Sequence, residues 1–396
     1  MNGGPVPHNY LCHRRQLERF GNTLHSALTY LTLRSLIGNM SSLEQKKHTV
    51  APNVLGRQDL TKSHTEGGLA WQSASPSNNR HIDIVYLWVD GADPHWQAKR
   101  NNAFSAWENR HPGELAVYGN VLGRYRDSGE LRCNLRALER FFPDHGHIYI
   151  VTDGQTPAWL CRGQGLTIID HQDLIPETAL PVYDSGHIES YIHRIPGLSE
   201  KFIYLNDDVF FGAPVDAKHW FGSHLTVAME AAPAPQYDDP RPNETAPVNA
   251  SNMSARWLQS RYPDYRHDSR LCSHAPRPML RSAMFELERV AADLFGQVRS
   301  TTFRSWRIPS IVSDLLPRWM SYVGLANKIT LDPLHICTGD DDAERLFTFL
   351  EANFGNLPFF CINDTCDNAP ADDPRLLRAA RVMESLLPLP SPFELV

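Results

Sequence analysis

No run of about 18 apolar residues occurs in the 396-residue sequence, so no segment has the length and apolarity of a membrane-spanning helix. Basic excess is missing too. With 38 Lys and Arg against 45 Asp and Glu the net charge is −7, which offers no electrostatic footprint for nucleic acid. Seven cysteines, at positions 12, 133, 161, 272, 337, 361 and 366, include no CxxC pair, which excludes zinc-finger spacing. No internal repeat appears, and no secretory apolar region stands near the start. A reduced compartment is therefore expected, with the protein cytoplasmic, at the inner face of the cell membrane. In that setting the glycosylation triplet Asn243-Glu244-Thr245 reads as chance.

What is present fits a folded protein, with 42% apolar and 10% aromatic residues. Residues 1–80 read as an N-terminal extension and linker, partly disordered. Within it Leu24, Leu28 and Leu31 share one helical face behind Arg14, Arg15 and Arg19. That pattern fits either an interfacial helix, giving peripheral membrane association, or a short packed one. The catalytic domain is expected over 81–396, with a Pro-rich excursion or flexible loop near 231–248.

From residue 81 onward, short apolar runs alternate with helical patterns: IDIVYLWV (82–89), HIYIV (147–151), LTIID (166–170) and FIYLN (202–206). Continuous runs of this kind predict an α/β fold, a Rossmann-like and mostly parallel sheet flanked by helices, with a more helical C-terminal half. Leu131, Leu135, Leu138 and Phe142 predict a helix near 128–142, with Asp127 and Glu130 as a capping pair and Pro143 as its stop. Arg132, Arg136 and Arg140 form the opposite stripe, read as a solvated face.

Each predicted strand ends in a carboxylate: Asp90, Asp153, Asp170, and the pair Asp207-Asp208. Ligands of open parallel sheets bind beyond the carboxyl ends of the strands, so these acids are expected to line one crevice. Asp207 and Asp208 lie between apolar runs with no Gly or Pro to mark a plain turn. Adjacent carboxylates persist where a cation or a shared proton offsets their charge, and hard oxygen ligands favour Mg²⁺ or Mn²⁺. Arg124, Arg126, Arg304 and Arg307 are candidates for phosphate oxygens. His274 suits a general base by its ordinary pKa.

The blocks IDIVYLWVDGADPHW (82–96), RYRDSGELRCNLRALERFFPDHGHIYIVTDGQTPAWL (124–160), LPVYDSGHIESYIHRIPGLSEKFIYLNDDVFFG (180–212), HAPRPM through FRSWRIPSIVSD (274–314) and CINDTCD through LPLPSPFE (361–394) resemble, in this order, the Stealth family. That family holds capsular and exopolysaccharide phosphotransferases and the catalytic parts of the animal N-acetylglucosamine-1-phosphotransferase. HAPRPM departs from the family's usual HAPYP pattern. The resemblance implies transfer of a hexose or N-acetylhexosamine 1-phosphate from a nucleotide diphosphate sugar to a saccharide hydroxyl, releasing a nucleoside monophosphate. It implies Asp207, Asp208, His274, Arg304 and Asp364 as the catalytic set, with metal on Asp207 and Asp208 and Asp364 as alternative base or orienter. Asp90, Gly91, Arg124, Arg126, Glu130, Asp153, Asn206 and Asn363 are expected to bind the donor, a UDP-N-acetylglucosamine-like compound. The alternative is a metal-dependent glycosyltransferase that releases the nucleoside diphosphate.

Overall fold

Apolar runs bounded by turn residues become strands in the computed structural model, which describes residues 82–395 apart from 162 and 164. The extension expected over 1–80, with its arginine-led helix, lies outside the described residues. Strands β1 (Asp83–Leu87), β2 (Ile148–Thr152), β3 (Leu166–Asp170) and β4 (Lys201–Asn206) are mutually parallel and lie in the order β3-β2-β1-β4. Neighbouring residues such as Ile84 and Val85, or Phe202 and Ile203, are both buried, so both faces of this sheet are covered, hence the unbroken apolar runs.

Seven further strands follow: β5 (Val209–Phe211), β6 (Leu225–Pro233), β7 (Arg270–Cys272), β8 (Arg277–Leu280), β9 (Ala326–Thr330), β10 (Leu334–Cys337) and β11 (Phe359–Asn363). Strand β8 extends the large sheet, antiparallel to β4. Two three-stranded sheets, β10-β11-β5 and β7-β6-β9, complete the scaffold. The main helices are α1 (Pro94–Glu108), α2 (Glu130–Phe141), α3 (Ala246–Arg261), α4 (Arg281–Val290), α5 (Ala343–Asn353) and α6 (Pro374–Leu386).

Helix α2 buries Leu131, Leu135 and Leu138 completely, each contributing roughly 1.5–3 kcal/mol. Its start differs from the expected Asp127 cap. Gly129 is the N-cap residue at φ +95°, a backbone region that favours glycine, while Asp127 accepts from the Gly129 amide and the Trp88 indole. The arginine stripe is a second correction: Arg140 is exposed, but all three residues are engaged by the end of α6 and the segment after it. Arg132 and Arg136 pair with Glu394, and Arg136 and Arg140 donate to the carbonyls of Leu387 and Leu386. The stripe thus binds the segment after α6 against α2. In the Pro-rich stretch the amides of Tyr237 and Arg241 donate to the side chains of Asn252 and Asn249 on α3.

Burial alone would raise the Glu394 carboxyl, but Arg136, the Ser391 amide and Arg132 hold it at about 2. Its side chain is 0% exposed and that of Arg136 is 9% exposed. Removing one partner of such a pair leaves a buried charge uncompensated. Glu394→Ala is expected to cost about 3 kcal/mol in urea unfolding at neutral pH. Because the folded pKa is depressed, this contribution is full above the ordinary glutamate range and fades as pH falls toward about 2.

Candidate active site

Strand β4 leaves the large sheet at Asn206, and two residues later β5 enters a small one. The turn between them has no glycine or proline and is held from outside. Asn134 of α2 donates to the carbonyls of Asp207 (3.0 Å) and Val209 (2.7 Å) and accepts from the Tyr86 hydroxyl (2.9 Å). The Ile362 amide of β11 donates to the Asp208 carbonyl at 3.0 Å. Val209, Phe210 and Phe211 are wholly buried, which explains the apolar residues resuming after the carboxylates.

The two carboxylates meet different surroundings. Burial, then Asp208 and Asp127, push Asp207 well above the usual carboxylate range. Glu130, at the start of α2, is pushed up by burial, Asp127 and Asp207. Burial also opposes ionisation of Asp208, but the imidazoles of His274 and His335 and the Cys361 thiol outweigh it and hold Asp208 below its ordinary value. His274 Nε2 lies 3.2 Å from Asp208 Oδ1, and Cys361 Sγ lies 3.4 Å from Oδ2. His274 reaches this place because it lies just before β8, which runs antiparallel to β4. Cys361 does so because it pairs with Val209 across β11 and β5.

A cavity of about 570 Å³ opens over this turn, within the size range of small-molecule sites. Arg304 enters it between Asp184 (Nε to Oδ1, 3.4 Å) and the Ser185 hydroxyl (2.6 Å). Arg124 is pushed down by burial and by the like charge of Arg304, and its buried Nε has no partner among the described residues. Two guanidiniums held in one cavity favour an anion between them. Asp364, at the end of β11, is paired with Arg126, which also donates to the Ala369 carbonyl at 2.6 Å. Burial nonetheless pushes Asp364 up. Asn206, Asn363 and Asp153 also line the cavity; Asp153 accepts from Lys99 at 2.6 Å, and the buried Oδ1 of Asn206 has no partner among the described residues.

Of the predicted catalytic and donor-binding residues, all but Asp90 and Gly91 line this cavity. Asp90 closes a turn onto the Ala92 amide, and Gly91 donates to the Tyr125 carbonyl so closely that a Cβ there would lie 2.2 Å from that oxygen. Asp170 caps a one-turn helix by accepting from the Gln172 amide, so the expected crevice of four strand-end acids contracts to Asp153 and the Asp207-Asp208 pair. Arg307 lies outside it, over the Trp306 ring. Sequence reasoning missed Glu189, Asp184, His335 and Cys361. Glu189 is buried, accepts from the Tyr204 hydroxyl at 3.0 Å, and is pushed up by burial. Its one sequence signal was a charge set among Ile188, Tyr191 and Ile192, all apolar.

Comparison with known proteins adds a family. The Stealth protein conserved region 1 matches residues 80–103 and conserved region 2 matches residues 124–228. The exopolysaccharide phosphotransferase SCO6023 of Streptomyces coelicolor is 35% identical over 316 residues, 79% of this chain and 52% of that protein. The capsular polysaccharide phosphotransferase cps1A of Actinobacillus pleuropneumoniae is 36% identical over 248 residues, 61% of this chain and 65% of that protein. The chain thus spans about half to two thirds of the length of these relatives. Among solved structures, a WbbM bifunctional glycosyltransferase is 10% identical with a TM-score of 0.40, covering 80% of this chain and 51% of that one, a likeness too slight to carry an argument. Conserved region 1 falls on β1 and the start of α1, conserved region 2 spans α2 and the Asp207-Asp208 turn, and the chain thus carries two conserved regions of the Stealth family in order.

Proposed function

We propose that this protein transfers a sugar 1-phosphate from a nucleotide diphosphate sugar to a saccharide hydroxyl in capsular or exopolysaccharide synthesis, releasing a nucleoside monophosphate. The observation that carries the reading is the Asp208–His274 contact in the same cavity as Arg124 and Arg304, in a chain whose relatives are named phosphotransferases. A UDP-N-acetylglucosamine-like donor is part of the proposal. So is work in the cytoplasm at the inner membrane face; no helix among the described residues is long and apolar enough to cross a membrane.

In this reading Asp208 accepts from Nε2–H of His274, which leaves Nδ1 as the ring's acceptor. Nδ1 takes the proton of the acceptor hydroxyl, and that oxygen forms a bond to the phosphorus bearing the sugar. The phosphorus–oxygen bond to the nucleoside monophosphate breaks, and the leaving group keeps the electron pair. Arg124 and Arg304 meet the charge that builds on the phosphoryl oxygens. Asp364, clamped by Arg126, orients the reacting groups or serves as a second proton acceptor. Asp207, Glu130 and the unpartnered Asn206 oxygen are hard donors in a place where negative charges push one another up, which fits Mg²⁺ or Mn²⁺. Such an ion would neutralise diphosphate charge and stabilise the leaving group.

With a UDP-sugar and a saccharide acceptor, UMP is the expected nucleotide product, read by chromatography; release of UDP with a phosphate-free sugar product would overturn the assignment. His274→Ala should lower kcat by about 10²–10⁴-fold in the same assay. A second outcome follows from the raised pKa values of Asp207 and Glu130. Their stabilising contribution is full below the ordinary carboxylate range and is lost as pH rises toward the folded values. Asp207→Asn should therefore raise the metal-free melting temperature, by a margin that grows from acidic to neutral pH in calorimetry. An unchanged or lower value at neutral pH would show that the buried charge costs nothing.

A further inference from the structure

Asp207 faces other carboxylates, whereas Asp208 faces an imidazole and a thiol. We propose that Asp208, His274 and Cys361 form a binding site for a borderline-soft divalent cation of the zinc type, and that its occupancy blocks the transfer reaction. The blocking half rests on reading His274 as the proton acceptor.

The donor atoms of these three side chains all lie within 4.8 Å of one another. Zinc binds sulfur at about 2.3 Å and nitrogen or carboxylate oxygen at about 2.0–2.1 Å. Tetrahedral angles at those lengths separate oxygen and nitrogen by about 3.3 Å, and oxygen and sulfur by about 3.5 Å. Here Asp208 Oδ1 lies 3.2 Å from His274 Nε2, and Oδ2 lies 3.4 Å from Cys361 Sγ. Oδ2 also lies 3.3 Å from His274 Nε2, so one oxygen makes both edges, and little movement closes the set on one ion. The ligands come from separate parts of the fold: the turn after β4, the residues before β8, and β11. Strand pairing of β8 with β4 and of β11 with β5 holds them together. Asp208 and His274 both line the cavity, so a fourth position opens to solvent or substrate. Three protein ligands and one open position make the coordination pattern of zinc sites that exchange ligands, and a nitrogen–sulfur–oxygen set discriminates against Mg²⁺.

Binding rearranges protons in a defined way. The Cys361 thiol releases one proton to solvent, and the ion takes the lone pair of His274 Nε2. The neutral ring keeps its proton on Nδ1, the nitrogen whose lone pair the transfer reaction uses. The same ion occupies Asp208, so the site loses its acceptor and its orienting carboxylate together.

Co²⁺, a spectroscopic substitute for zinc, tests this on the full chain. Titration should produce a near-ultraviolet thiolate-to-cobalt band and tetrahedral visible bands, displaced by Zn²⁺ and retained in excess Mg²⁺. Cys361→Ser should abolish the ultraviolet band and weaken zinc binding in calorimetry at least about tenfold. Cys272→Ser should keep both, and His274→Gln, which leaves β11 untouched, should weaken zinc binding as well. No band in the parent protein, or a band that survives in Cys361→Ser, overturns the site. Zinc bound through Cys361 with nucleotide release unchanged overturns the blocking role. A protein that releases no nucleoside monophosphate without zinc refutes the proposed reaction, while the cobalt spectra still decide the site.

Discussion

The turn at Asn206–Asp208 contains neither glycine nor proline, and the Asn134 side chain holds it from outside. One amide group serves the Asp207 and Val209 carbonyls and the Tyr86 hydroxyl at once. Truncating it would strand three buried polar groups, each costing about 1–3 kcal/mol when unsatisfied. More than stability is at stake, because the direction of the two aspartate side chains follows from how this turn is held. Tyr86 lies on β1, the central strand of the large sheet, so the turn is anchored to the most buried part of the fold.

That anchoring separates two adjacent charges into two environments. Asp207 is directed toward Glu130 and Asp127; burial raises all three, and the neighbouring carboxylates raise Asp207 and Glu130 further. Asp208 is directed toward groups that can carry or share positive charge, and ionises more readily than usual. A peptide unit thus divides a hard oxygen cluster from a mixed nitrogen and sulfur one. Across the cavity Arg124 and Arg304 supply the positive counterpart, without pairing with either aspartate.

The parallel sheet was legible because residues buried on both faces must read as continuous apolar runs, and all four such runs pair as expected. Helix α2 was legible from its leucine spacing. Asp90 and Asp170 were misread because a turn-closing or capping aspartate has the same sequence signature as one aimed at a ligand; the Asp170 and Asp153 contexts differ only in tertiary placement. Arg132 and Arg136 were misread because their partner, Glu394, lies more than 250 residues away. Cys361 carried no signal, since its proximity to Asp208 arises from antiparallel pairing between β5 and β11. Short strands of this kind, such as β7 with three residues, are too brief to show a period.

Helix α2 serves several masters along its length. Glu130 reaches the cavity, Asn134 the turn, Arg132 and Arg136 the segment after α6, and the leucines the core. These roles are spaced by the helical repeat, so one inserted residue would rotate everything beyond it by about 100° and separate the groups on either side. Substitutions here alter one contact at a time, but insertions and deletions would break several together. Length variation in this protein should therefore accumulate in surface connections such as the Pro-rich loop, while the count of residues from Gly129 to Leu138 stays fixed.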